Sequence, residues 1–175
     1  MSTAATASAP AVPAHLASAI HLLRFSRGAT MKMFDGVPES KYAAGSDALP
    51  NHGLWTLGHL ATTDDWFAGQ FGKVPSGVPQ AWNELFGMKS KPSPDASKYP
   101  SVGEVKKALE DRRAALERWI LSLTPAQLAA KTSDDWQAYA PTIADLLYFI
   151  AWHESYHTGQ MAPFRRSLGL GPAFG

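Results

Sequence analysis

Residues 151–160 read AWHESYHTGQ, and inside them His153, Glu154 and His157 form an H-E-x-x-H stretch. On a helix, imidazoles at i and i+4 share a face and can converge on one divalent ion. A glutamate between them can serve as general base toward a water on that ion, which is how many zinc metalloproteases use the motif. The same letters fit a different metal site, or two interior histidines that each find their own hydrogen-bond partner.

The pair needs a helix beneath it, and the flanking residues supply one. Thr142 followed by Asp145 has the form of a capping box. Helical periodicity continues to about Ala162, where Pro163 is expected to end or kink the helix. At about 100° per residue, with His153 at zero, Leu146 and Phe164 fall near +20°, His157 near +40°, Ile150 near +60° and Gln160 near −20°. Both histidines therefore share the apolar stripe. A buried imidazole must find a partner or a ligand. Two stacked at i and i+4 double that demand, and one divalent ion would meet it for both.

Upstream, NHGLWTLGHLATTDDWF predicts a helix from about His52 to Phe71, with Asn51 as N-cap and Gly72 as the stop. His59 shares a face with Trp55, Thr63, Trp66 and Gln70, so a third imidazole points inward and is a candidate ligand. His52 is expected at the exposed start of this helix, with a supporting or access role as the alternative. His15 and His21 show no partner pattern and are expected to be structural or exposed.

The rest of the chain is also helical. A first segment runs from about Pro13 to Asp35, weakened by Gly28 and stopped at Gly36. The connection 72–100 carries Pro75, Pro79, Pro92, Pro94 and Pro100, with room for one short turn at AWNELF. Ser101 and Glu104 form a capping box that opens a third long helix through Val105, Leu109, Leu116 and Ile120. Thr124-Pro125 opens an extra turn. Four long helices and a long middle connection predict an all-α, antiparallel four-helix bundle with a crossover, as one domain over 13–175 behind a flexible tail at 1–12.

Composition narrows the chemistry. The chain of 175 residues has no cysteine, so it can form no disulfide and offers no thiolate ligand or cysteine nucleophile. A net charge of +1, without basic clusters longer than a pair, gives no footprint for nucleic acid. No apolar run is long enough to span a bilayer. The N-terminus MSTAATASAPAVPA lacks the positive start and Leu-rich core of a signal peptide, so a cytoplasmic protein is expected.

The protease reading fails on its third ligand. The extended metzincin motif asks for Gly at 160 and His at 163, where this chain has Gln160 and Pro163. After His157 there is no Asp, Glu or His at all. The β-sheet that flanks a zincin helix is not predicted either.

A histidine in LWTLGHLA on the second helix, followed by HESYHTGQM on the last, resembles the DinB/YfiT-like superfamily, over about residues 14–170. TPAQL before the last helix fits the same pattern. The resemblance implies a four-helix bundle of up-down-down-up topology and a homodimer. It implies a three-histidine site, here His59, His153 and His157, for zinc, nickel or another divalent ion. It also implies a possible S-transferase or isomerase acting with a low-molecular-weight thiol on a small-molecule substrate; the family name carries no implication of DNA binding. The alternatives are a metal-dependent hydrolase with Glu154 as base and a non-catalytic, stress-related metal-binding bundle. Glu154 is expected to orient a ligand histidine or to pair with Arg112 or Arg113 at the bundle surface, ahead of acting as a base. Gln160 is expected on the metal face, Gly159 at a close helix approach, and Trp55, Trp66 and Trp152 in the pocket wall.

Overall fold

The computed structural model describes residues 11–45, 49 and 51–174. Six α-helices follow in order: α1 (Ala17–Lys32), α2 (Gly53–Gly72), α3 (Trp82–Phe86), α4 (Val102–Leu121), α5 (Pro125–Leu128) and α6 (Ile143–Ser167). The described residues contain no β-strand; an isolated bridge joins Lys131 and Thr142. Of the tail expected at 1–12, residues 1–10 lie outside the described residues, while Val12 packs against the core.

The helix starts follow local chemistry. Ser101 and Glu104 form a reciprocal capping box at α4, as do Thr142 and Asp145 at α6. Thr124 and Gln127 form another at α5, with Pro125 in its first turn. The short helix in AWNELF is α3.

The first helix ends at Lys32, short of the expected Asp35, and three boundaries of α2 and α6 also differ from expectation. The N-cap of α2 is His52 rather than Asn51: its Nδ1 accepts the Trp55 backbone N–H at 3.1 Å. Gly72 does not stop α2. The left-handed residue is Lys73, at φ 55°, while Gly72 lets α4 approach, since a Cβ there would lie 2.6 Å from the Trp119 ring. Pro163 does not end α6, which continues to Ser167. The residues beyond it are held by tertiary contacts. Phe164 is fully buried, and Arg165 Nη1 donates to the carbonyls of Met33 and Asp35 at 2.9 and 2.7 Å.

α2 packs along α4, and α1 along α6. The core forms two apolar clusters. One gathers Phe34 just past α1, the start of α2 (Leu54, Leu57, Leu60), the start of α4 (Val105, Leu109) and the end of α6 (Met161, Phe164). The other gathers the start of α1 (Ile20, Leu23), the end of α2 (Phe67, Ala68), the end of α4 (Leu116, Ile120) and the start of α6 (Leu146, Leu147, Ile150).

Between these clusters each long helix contributes one charge: Arg27, Asp64, Arg113 and Glu154. Arg27 binds Asp64 at 2.9 Å and Glu154 at 2.5 Å. Arg113 binds Asp64 at 2.9 Å and also binds Glu154. The four close into a ring of alternating sign. Burial alone would lower the Arg27 pKa, but Asp64 and Glu154 outweigh it and hold the guanidinium above its ordinary value.

Candidate metal centre

α2 carries His59 and α6 carries His153 and His157 to one place, where one nitrogen from each ring lies within 4.8 Å of the others. His59 Nε2 stands 3.4 Å from His153 Nε2. Two nitrogens bound at about 2.0–2.1 Å to a tetrahedral ion stand roughly 3.3–3.4 Å apart, so the spacing of this pair fits a shared ion. The two histidines of α6 have ring centroids 4.7 Å apart, as i, i+4 spacing requires.

Two of the rings are oriented from behind. His59 Nδ1 lies 2.7 Å from the carbonyl of Phe86. A carbonyl only accepts, so Nδ1 carries the proton and Nε2 keeps its lone pair. Phe86 can approach because position 58 is glycine: a Cβ there would lie 2.3 Å from the Phe86 ring. Trp55 stacks on His59 at 4.7 Å and 6°, and its indole N–H donates to Ser90 at 2.7 Å. His157 Nδ1 donates to Gln160 Oε1 at 2.9 Å, and the same oxygen accepts from Asn51 at 3.2 Å.

Burial, followed by the neighbouring His157 and His59, lowers the His153 pKa to about 3. Burial, followed by His59, lowers His157 to about 4. Burial also lowers His59, against the opposing hydrogen bond with Phe86. All three are therefore neutral at pH 7, the form in which an imidazole binds a metal. The donor set fits a divalent ion with positions left open for another ligand.

The other candidates separate from this group. Glu154 is 1 % exposed; one oxygen accepts from Arg27 and the other from Arg113. It pairs with Arg113, but in the interior, and Arg112 pairs instead with Asp65. His52 is also 1 % exposed rather than at the surface. The long connection folds over it: its Nε2 donates to the Ser93 carbonyl at 3.0 Å, and Tyr99 sits edge-on at 5.2 Å. His15 Nε2 donates to the Leu123 carbonyl at 2.8 Å, a structural contact. His21 pairs with the Phe25 ring. Gly159 serves no close approach, since a Cβ there would meet nothing within 4 Å.

A cleft of about 390 Å³ opens on His59 and His153, with Trp66 in its wall. Trp152 is 57 % exposed and lies outside it. Wall residues not anticipated from sequence include Phe67, Trp136 and Phe149, with Asn83 and Met88 from the connection. Trp136 lies outside the long helices, so helical periodicity gives no signal for it. Asn51, Arg27 and Asp64 were also not anticipated; the acidic pair Asp64-Asp65 on an aromatic helix was the one available hint for the last.

An all-helical chain whose interior gathers three imidazoles able to hold a metal defines a class. This chain belongs to the DinB superfamily, whose family model matches residues 22–161. No curated protein matches it. None of its helices among the described residues is long and apolar enough to cross a membrane.

Proposed function

We propose that His59, His153 and His157 bind one divalent metal ion, zinc or nickel, and that the protein is a metal-dependent S-transferase using a low-molecular-weight thiol. The observation that carries this reading is the convergence of three neutral imidazoles, two of them with Nδ1 committed to an oxygen and Nε2 left to ligate. A divalent ion there supplies Lewis acidity, lowering the pKa of a thiol or water that reaches it. Phe86 and Gln160 hold the ligand rings in their tautomer and direction. Trp55 covers one face of His59. With no cysteine in the chain, the thiol comes from outside.

The hydrolase alternative loses its base. Each Glu154 oxygen accepts from a guanidinium group, and the side chain is buried and does not line the cleft, so the carboxylate is committed to interior ion pairs and not presented to a water over the histidines. The arrangement of the core supports an up-down-down-up bundle. The starts of α1 and α6 share a cluster with the ends of α2 and α4. The same reading carries a cytoplasmic setting, where such thiols stay reduced, and a homodimer, for which the exposed Tyr148, Trp152 and Tyr156 on α6 offer an apolar strip.

Elemental analysis of untagged protein tests the site. About one equivalent of divalent metal is expected in the wild type, lost in His59→Ala and in His157→Ala. Full retention in His157→Ala rejects the ligand set. Retention only in His59→Ala moves the third ligand elsewhere. Turnover of an electrophile panel only when thiol is added supports the transferase; turnover without thiol supports hydrolysis.

A further inference from the structure

We infer that the cleft over the histidines takes an uncharged aromatic molecule; that this molecule is the electrophilic co-substrate rests on the metal-site reading, whereas its binding does not. The cleft has His59 and His153 at its base and Trp66, Phe67, Trp136 and Phe149 as walls. The walls hold one another in place. Trp136 meets Phe149 edge-on at 5.2 Å and 87°, and lies 5.7 Å from Trp66 and 5.6 Å from Phe67. Such a frame offers both ring faces and ring edges to a planar guest. Trp66 keeps 46 % of its surface exposed although it borders the interior, so apolar area remains for a ligand to cover. A volume of about 390 Å³ lies toward the small end of small-molecule sites and suits one or two fused rings.

Charge decides the class. Among the described residues no Lys, Arg, Asp or Glu lines the cleft; besides the histidines and the indole N–H groups its polar side chains are Thr62, Thr63 and Asn83. The nearby guanidinium groups of Arg27 and Arg113 are already committed to Asp64 and Glu154. A carboxylate or ammonium drawn into the metal-free cleft would lose water without gaining a counter-charge. A neutral ring with one polar substituent can use the threonine or asparagine groups instead.

Tryptophan fluorescence titration at pH 7 with 2-naphthol, which is uncharged, and with 2-naphthoate tests this. Protein is used as isolated and after chelator treatment, with metal content measured on each sample. In the chelated protein naphthol is expected to saturate at one equivalent, with naphthoate at least about tenfold weaker. Trp66→Ala and Trp136→Ala should each weaken naphthol by about tenfold. Thr63→Arg, which leaves the aromatic walls in place, should reverse the preference toward naphthoate. Naphthoate binding as tightly as naphthol to the chelated wild type overturns the inference. So does naphthol binding that neither tryptophan variant weakens, or an unchanged preference in Thr63→Arg. The two readings fail separately: absence of metal leaves naphthol saturation intact, and absence of naphthol binding leaves metal content intact.

Discussion

His157 donates its Nδ1 proton to Gln160, and Gln160 takes a second hydrogen bond from Asn51, which just precedes α2. Gln160→Leu is nearly the same size but cannot accept. It is expected to lower metal affinity by about 10–100-fold while the fold persists, read by competition with a chromophoric chelator; unchanged affinity removes Gln160 from the site. Glu154 tests the opposite role. Glu154→Gln leaves two guanidinium groups facing one carboxylate in the interior, and a loss of about 3–5 kcal/mol is expected in denaturant unfolding. Unchanged stability with lost activity would instead return Glu154 to the role of base. The histidines were legible because angular arithmetic along a single helix decides which way they point. Glu154 was half legible: its pairing with Arg113 followed from charge, but its burial depends on Arg27, 127 residues away. His52 was misread because the segment that covers it, through Ser93 and Tyr99, is far off in sequence and carries no periodic pattern.

At the scale of the elements, glycines mark where chains touch, and only packing tells which ones. Gly58 sits against Phe86, and Gly58→Ala should cost about 1–3 kcal/mol and weaken metal binding as well, because the displaced residue orients His59. Gly159 faces open space, and Gly159→Ala should stabilise by about 0.5–1 kcal/mol. Thermal melts of the two variants side by side check both; a destabilised Gly159→Ala would show that a partner covers that face. Capping chemistry made the starts of α4, α5 and α6 readable, since cap and partner lie three residues apart. The ends were less readable. Pro163 breaks a local rule, but buried Phe164 and the Arg165 contacts with Met33 and Asp35 hold the last turns, and a cost of about 3 kcal/mol is outweighed by contacts that no local pattern reveals.

The whole molecule carries the pH dependence. His153 and His157 titrate near 3 and 4 in the folded chain, against 6.5 when unperturbed. Between those values the unfolded chain binds more protons than the folded one. The stability held by neutral imidazoles is therefore complete above about pH 6.5 and is lost as pH falls toward about 4 for His157 and about 3 for His153. Metal-free protein should lose about 1–2 kcal/mol per histidine between pH 7 and pH 5, seen as a falling melting temperature, and His153→Gln should flatten the curve. A melting temperature constant over that range would mean that the rings accept protons without strain. The ring of Arg27, Asp64, Arg113 and Glu154 has a further consequence. It recognises four helices by the sign of one charge at one depth, and sliding any helix by a turn breaks it. It does not recognise the chain to which a helix belongs. A helix supplied by a second copy would close the ring as well as the chain's own, so the loops, and not the interior, must decide whose helix fills each place.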